Sequence, residues 1–346
     1  MSGNGALVPR RAAPHNVRHV SLPAETRPAE RNWPRTALQA LLHYGGSALA
    51  LFLLLHFLPR RDVLDALRKL PPRIWLLVLA GYLGTHILGV GKFRLMVNTA
   101  GAGLDYLQAA LCYFAGLFGS LFLPSLIGGD LVRAALAMRY GKTKAGVLLG
   151  SLIDRSIDFT GLVLLTLVGA LLVPGALQPQ SRRAFLWLGV AVIVGLIFLA
   201  ALVRLTPVRR LSFRIRRWLA RLRRAARSMA RRPRAMAAAL GISVAAQLLF
   251  ISLAIVLAEA CGLHLPFRAW LFAWPLAKIS AAIPVTQGGI GVREAALAAL
   301  LAPFGAPPAL SVAAGLAWEA VVISGALVGG GFALFAGRSA RVSRTS

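Results

Sequence analysis

Long apolar segments recur along most of this 346-residue chain and limit it to a fold embedded in a membrane. Most of them reach the ~20 residues that an α-helix needs to cross about 30 Å of hydrocarbon. Backbone N–H and C=O groups must be paired inside lipid, and the sequence has no strand-like alternation of polar and apolar residues, so helices are the only tenable spans. The sequence therefore predicts an all-α, polytopic membrane helix bundle. The apolar segments cover residues 37–58, 74–98, 106–127, 145–173, 184–203, 235–262, 267–284, 290–304 and 308–336.

The composition supports the same class of protein and argues against another. Apolar residues make up 58% of the chain and charged residues 14%, whereas soluble domains average about 45–50% and about 25%. A formal net charge of +28 would suggest nucleic-acid binding in a soluble protein. Here residues 204–234 hold thirteen arginines and no acid, beside apolar spans and within reach of anionic headgroups. We therefore expect no nucleic-acid partner.

Basic segments flank and interrupt the predicted membrane domain, which covers residues 37–336. Residues 1–36 hold six arginines, five prolines and no apolar run, which is typical of a disordered basic tail. Residues 204–234 place apolar side chains at helical spacing among arginines and predict an amphipathic helix on the cytoplasmic surface. Residues 337–346 form a basic C-terminal tail. Both termini are predicted to be cytoplasmic, in the inner membrane of a bacterium.

An internal repeat lies within the membrane domain. PSLIGGDLVRAA at residues 124–135 matches PVTQGGIGVREA at residues 284–295 at an offset of 160, with six of twelve positions identical. Proline removes a helix hydrogen-bond donor and paired glycines favour non-helical backbone, so each copy is predicted to break its helix inside the apolar region. Broken helices at membrane depth usually line a cavity. The residues assigned to the two breaks are Pro124, Gly128, Gly129, Pro284, Gly288, Gly289 and Gly291.

The number of spans between the two copies decides their relative orientation. If each motif lies at the tip of a re-entrant hairpin, three full spans separate the copies, which then point in opposite directions, as in transporters built from inverted repeats. This topology places twenty-seven basic residues, including Lys92 and Arg94, on the cytoplasmic side. The alternative, an eight-span bundle, leaves about fourteen basic residues on the wrong side. We therefore predict six full spans and two inverted-repeat re-entrant (broken) helical hairpins.

Nine charged residues lie in or beside the apolar segments and carry the functional argument. A lone charge at the bilayer centre costs at least ~2.5–3.5 kcal/mol, so these groups must face one another, a wet cavity or an interface. One interpretation is a structural ion-pair network. The other is a polar pathway in which Arg133 and Arg293 bind a phosphate while the carboxylates attract a headgroup amine or relay protons. The nine residues are Asp130, Arg133, Asp154, Arg155, Asp158, Lys278, Arg293, Glu294 and Glu319.

Motifs of known enzyme and metal sites are not found in the sequence. The Gly-Lys-Thr run at residues 141–143 lacks the first glycine and the preceding strand of a phosphate-binding loop. Cys112 and Cys261 lie in separate apolar stretches without the spacing of metal ligands. The sequence therefore implies no cofactor, no metal and no enzymatic activity. An intramembrane enzyme is a weaker hypothesis, for which Asp154 and Asp158 are the paired carboxylates worth considering.

Three motifs in this order resemble the flippase-like membrane region of lysylphosphatidylglycerol synthases: LPSLIGGDLVRA, SLIDRSIDF and IPVTQGGIGVREAAL, followed by Gly305 and Glu319. The resemblance covers residues 37–336 and implies lipid binding and lipid movement between leaflets. Asp154 departs from the family pattern, which often has glutamate at this position. The site residues that the resemblance implies are Pro124, Gly128, Gly129, Asp130, Arg133, Arg155, Asp158, Pro284, Gly289, Gly291, Arg293 and Glu294.

Two functions from different classes follow as hypotheses. The first is a flippase-like lipid transporter, a stand-alone member without the synthase domain, that binds an anionic phospholipid or a glycolipid or polyprenyl-linked headgroup and moves it between leaflets. The second is a non-transporting scaffold or regulator of a partner glycosyltransferase or lipid-modifying enzyme. The predicted headgroup-binding residues are Asp130, Arg133, Asp154, Arg155, Asp158, Arg293, Glu294 and Glu319.

Overall fold

The computed structural model describes residues 52, 60–122, 126–173, 213–281, 286 and 289–342. Within these residues the secondary structure is helical and contains no strand, which confirms the all-α class. Several predictions from the sequence fall outside the described residues. They concern the tail 1–36, most of the segment 37–58, the span 184–203, the last residues of the C-terminal tail, and Pro124, Pro284 and Gly288.

The described part of the chain forms ten α-helices. They are α1 (Arg60–Arg68), α2 (Pro72–Thr99), α3 (Tyr106–Gly119), α4 (Leu126–Tyr140), α5 (Lys144–Leu172), α6 (Phe213–Ala230), α7 (Pro233–Ala260), α8 (Phe267–Ser280), α9 (Val292–Leu301) and α10 (Pro308–Val342). By length and composition, α2, α5, α7 and α10 are suited to cross a membrane. The apolar α3 has 14 residues and measures about 21 Å at 1.5 Å per residue, which is too short to cross about 30 Å of hydrocarbon.

Helix α6 confirms that the arginine-rich segment is helical over Phe213–Ala230. Its Ala225 and Met229 are buried in a cluster with residues of α2, α5 and α7, while Arg221 and Arg224 are exposed. This division of apolar and charged faces is typical of a helix that lies on an apolar body with its other side in the headgroup layer. That location in a membrane stays a prediction.

The larger helices form two sets of four with the same order, a long helix, two short helices and another long helix. The first half contains α2 to α5 and the second half α7 to α10. Helices α2 and α7 each have 28 residues with proline at the start, and α3 and α8 each have 14. Pro72 and Pro233 are separated by 161 residues. The two halves therefore share the order of their helices, which extends the similarity beyond the twelve-residue motif.

The turn after the first long helix is also repeated. Gly101 follows α2 with φ 91° and Gly262 follows α7 with φ 89°. Glycine adopts this left-handed conformation at low cost and commonly ends helices in this way. The Gly101 N–H donates to the Asn98 carbonyl and the Gly262 N–H to the Glu259 carbonyl, both at 2.9 Å. The matched geometry reverses the chain at the same point in both halves.

Helices α2 and α7 pack side by side and run in opposite directions. Near the start of α2, the ring of Tyr82 lies 5.6 Å from that of Phe250, which belongs to the second half of α7. Near the end of α2, Met96 shares a buried cluster with Ala239 from the start of α7. The two equivalent helices are therefore antiparallel.

The short helices fold back along the long helices that precede them. Tyr113 of α3 lies 3.1 Å from His86 of α2, measured from its hydroxyl to Nδ1. Lys278 of α8 donates to the Gln247 side chain of α7 at 3.0 Å. Because α2 and α7 are antiparallel, α3 and α8 approach the middle of this pair from opposite ends. Helix α3 then packs against α10, and α8 against α5, so each half supports the other.

The motif glycines do not all have the predicted conformation. Gly128 and Gly129 lie within the first turn of α4 and have helical backbone, whereas the non-helical backbone between α3 and α4 includes residues 120–122. Instead, Gly129 allows close packing, since a Cβ atom there would lie 2.6 Å from the carbonyl oxygen of Gly116 in α3. In the second copy, Gly289 and Gly291 have φ 79° and 86°, which confirms non-helical backbone at these two positions.

Candidate functional site

A cavity of about 270 Å³ lies between the two halves. Its walls include side chains from α2 to α5 and from α7 to α10. Asp154 and Glu294 lie behind the walls, and each has 0% exposure. The other six predicted headgroup-binding residues line the cavity, namely Asp130, Arg133, Arg155, Asp158, Arg293 and Glu319.

Arg133 forms the centre of a first cluster of charges. Its Nη2 atom lies 3.0 Å from Asp130 and 3.1 Å from Asp154. Asp130 comes one helical turn earlier on α4, so the two side chains share a face of this helix. The guanidinium also lies 4.5 Å from the centre of the Phe93 ring and 5.3 Å from that of Tyr113. Two carboxylates and two aromatic rings thus fix the position of this buried arginine.

Lys92 belongs to the same cluster and was missed by the sequence analysis. Its Nζ atom lies 2.9 Å from Asp154 and 2.7 Å from Asp158, and the residue is 4% exposed. The sequence analysis counted Lys92 among the charges on the cytoplasmic side, whereas the structure buries its side chain within α2 and away from the surface of the bundle. The side of the membrane nearest to Lys92 stays a prediction. The sequence did contain a signal for this contact. Asp154 and Asp158 lie one turn apart in an apolar helix, and two carboxylates in that setting require a nearby cation.

Arg155 and Ser243 complete this first cluster. Arg155 Nε lies 2.8 Å from Asp130, and the Ser243 hydroxyl of α7 donates to Asp158 at 2.6 Å. Ser243 therefore ties the cluster to the other half of the molecule. With ordinary ionisation, three cations and three acids balance here. The charged members of the first cluster are Lys92, Asp130, Arg133, Asp154, Arg155 and Asp158.

A second cluster surrounds Arg293, at the start of α9. Arg293 Nη2 lies 2.6 Å from Glu294 and 2.7 Å from Glu319 of α10. The second oxygen of Glu294 accepts a 2.7 Å hydrogen bond from the backbone N–H of Gly291. This bond satisfies an otherwise free donor at the helix start and holds the buried carboxylate in place. One cation and two acids give this cluster a formal charge of −1.

Lys278 lines the cavity without belonging to either cluster. Its Nζ atom donates to Gln247 and lies 4.7 Å from the centre of the Phe250 ring. None of the described carboxylates lies within 4.0 Å of it. It is therefore a cavity cation held by neutral groups.

The wall of the cavity contains five cations and three acids. Asp154 and Glu294 have no exposed surface, so they neutralise the charge of the arginines from behind the wall. The wall itself presents more cations than acids, which favours an anion inside. The cations in the wall are Lys92, Arg133, Arg155, Lys278 and Arg293, and the acids are Asp130, Asp158 and Glu319.

Comparison with known proteins assigns a family. A family model described as the lysylphosphatidylglycerol synthase TM region matches residues 40–330, most of the chain, including both charge clusters. The chain belongs to this family. No curated protein matches it. Membership in the lysylphosphatidylglycerol synthase TM family confirms the resemblance seen in the sequence. Together with the four helices of spanning length it makes the chain a multi-pass membrane protein.

Proposed function

We propose that the protein binds the anionic headgroup of a phospholipid or lipid-linked sugar in the cavity and moves it between leaflets. The observation that carries this proposal is that the two repeat arginines, Arg133 and Arg293, line one cavity within an apolar helix bundle, together with three further cations. A polar path of this kind lowers the cost of bringing a charged headgroup through the apolar region. The acyl chains can remain in lipid during this movement.

In this proposal the short-helix pairs are re-entrant hairpins of opposite orientation in a bacterial inner membrane, with both termini cytoplasmic. Two features support the arrangement. Helix α3 is too short to cross the bilayer, and the antiparallel packing of α2 and α7 lets α3 and α8 enter from opposite ends. Inverted repeats of broken helices commonly form substrate sites near the membrane midplane. Access from the two sides would then alternate around a site that both hairpins share.

The carboxylates have two roles in the proposed mechanism. Asp154 and Glu294 are fully buried and hold the arginines from behind. Asp130 and Glu319 also pair with the arginines, but their side chains are 24% and 13% exposed. A headgroup phosphate would compete with these two acids for the guanidinium groups, since arginine binds phosphate through paired hydrogen bonds. A displaced carboxylate could then attract a headgroup amine.

Lipid transfer by the reconstituted protein tests the proposal. Vesicles of phosphatidylcholine would carry fluorescent phosphatidylglycerol, and dithionite would destroy the dye in the outer leaflet. Val322→Trp should lower the transfer rate to about a tenth, because the indole would fill the cavity that Val322 lines. Val328→Trp is the matched control, because Val328 is 52% exposed on the same helix. Its transfer rate should equal that of the unmodified protein.

Two results would contradict the proposal. Transfer by Val322→Trp at the rate of Val328→Trp would mean that lipid does not pass through the cavity. An unmodified, folded protein that transfers no lipid would favour the scaffold hypothesis, which predicts a stable complex with a partner enzyme and no transfer. The proposal assigns binding and transport to this protein and no catalytic step.

A further inference from the structure

Lys278 differs from the other cations in the cavity wall. Lys92, Arg133, Arg155 and Arg293 each lie within 3.1 Å of at least one carboxylate. The Lys278 ammonium is held by the amide oxygen of Gln247 and by an aromatic face, both of them uncharged. An anion that binds an arginine of the site must displace or share a carboxylate. An anion that binds Lys278 displaces none.

His86 is a second polar residue of the cavity wall, and one of its ring nitrogens has no partner among the described residues. His86 lies against the same aromatic ring, with 5.4 Å between the centres of the His86 and Phe250 rings. Its Nδ1 atom is engaged by Tyr113, whereas its Nε2 atom is buried and has no hydrogen-bond partner among the described residues. When the Tyr113 hydroxyl donates to Nδ1, Nε2 carries a proton. A buried N–H without a partner costs free energy that a ligand oxygen would recover.

We infer that Lys278 and His86 form an anion subsite that receives the phosphoryl oxygens of the bound headgroup. The ammonium supplies charge, and the imidazole N–H supplies a directed hydrogen bond. Both residues line the cavity. The identity of the ligand as a lipid rests on the proposed function, whereas the subsite chemistry applies equally to a phosphoryl group on a lipid or to free phosphate.

Retention of lipid by the purified protein tests the subsite directly. Native mass spectrometry would count bound phosphatidylglycerol, with diacylglycerol of the same chains as the uncharged comparison. Lys278→Gln should lower retention of phosphatidylglycerol about tenfold or more, since it removes a hydrogen bond between two charged groups. Retention of diacylglycerol should not change. The matched control is Lys69→Gln, which removes the same charge at an exposed position outside the cavity.

A second variant keeps Lys278 and changes its neighbour. Gln247→Glu is nearly isosteric and would give the ammonium the carboxylate partner that it lacks, so retention of phosphatidylglycerol should fall as it does in Lys278→Gln. The new ion pair should not destabilise the fold, so this variant decides the question even if Lys278→Gln folds poorly. If Gln247→Glu and Lys278→Gln both retain phosphatidylglycerol like Lys69→Gln, the subsite does not exist.

Inorganic phosphate separates the two sources of the anion. Competition by phosphate that disappears in Lys278→Gln would mean that the subsite recognises the phosphoryl group whatever carries it. If phosphate does not compete with phosphatidylglycerol but retention still depends on Lys278, the lipid chains are also required for binding. Both results support the subsite. Lys278-dependent retention without any transfer would overturn the proposed transport alone. Normal retention in both variants, with normal transfer, would overturn the subsite alone.

Discussion

The two halves of the molecule repeat four helices but carry different charges. In both halves an arginine of the second short helix lies between two carboxylates, one from its own helix and one from the long helix that follows. The first half adds Lys92, Arg155 and Asp158, and its charges balance. The second half has no such additions around Arg293 and keeps a formal charge of −1. The two halves therefore share the order of their helices, but they stabilise the central arginine and its acids with different side chains.

The largest expected effect is the loss of the central arginine in the second half. Arg293→Ala should lower the free energy of unfolding by about 3–5 kcal/mol, because it leaves Glu294 and Glu319 without a cation. Arg133→Ala should cost less, because Lys92 remains 2.9 Å from Asp154. Unfolding of the purified protein by SDS titration in mixed micelles measures both values. Arg68→Ala, at an exposed ion pair, is the control and should change stability by less than about 1 kcal/mol. An equal or greater loss for Arg133→Ala would mean that Lys92 does not compensate.

Removing the charge of Lys92 should lower the free energy of unfolding much more than removing the charge of Lys278. Lys92→Met should cost about 3 kcal/mol, because Asp158 loses the cation that lies 2.7 Å away. Lys278→Met should stay within about 1 kcal/mol of the unmodified protein, because no paired carboxylate is left behind. The same SDS titration compares them. A large loss in Lys278→Met would show that its charge stabilises the second cluster at long range.

The motif glycines provide a smaller test. Gly129→Ala should cost about 1–2 kcal/mol, because the added methyl group meets the Gly116 carbonyl oxygen. Gly289→Ala should cost about 2–3 kcal/mol, because it combines a positive φ with a clash against Ala281. Thermal unfolding in detergent gives the order of the two. Equal shifts in midpoint would mean that backbone strain adds nothing at Gly289.

The smallest effect should be the same in both halves. Gly84 of α2 and Gly241 of α7 have open space where a Cβ atom would lie. Replacing either with alanine should raise the free energy of unfolding by about 0.4–1 kcal/mol, because alanine loses less backbone entropy in a helix. The measurement is again the SDS titration. A loss of stability at one of the two positions would indicate that this face of its helix packs against something.

Sequence reasoning predicted the parts of the site that depend on spacing. Apolar segments located the helices, and the three-residue spacing of Asp130 and Arg133 gave their contact on one face. The sequence analysis did not place Lys92 in the site. Counting lysines and arginines assigns a charge to one side of the membrane, but the count does not show which residues that charge contacts. Ser243 and Gln247 were also missed, since isolated polar residues in an apolar helix have no pattern of their own. Their roles depend on how α7 packs against the other half.

The glycine pair in the first copy shows a further limit. The same Gly-Gly sequence lies inside a helix at Gly128 and Gly129, whereas Gly289 of the second copy has a left-handed conformation. Local sequence permits both outcomes, because glycine accommodates close helix packing as readily as a break. The choice depends on the facing backbone, which for Gly129 is that of Gly116.

The charge balance around the cavity bears on how a transmembrane voltage would act on the protein. A voltage of 100 mV is worth ~2.3 kcal/mol for each elementary charge that crosses it. Five positive and five negative side chains that shift together would transfer no net charge. If the protein transports lipid as proposed, its return without cargo would therefore depend little on the electric field. Only the cargo's own charge would then make its passage electrogenic. The charges concerned are those of Lys92, Arg133, Arg155, Lys278 and Arg293 against Asp130, Asp154, Asp158, Glu294 and Glu319.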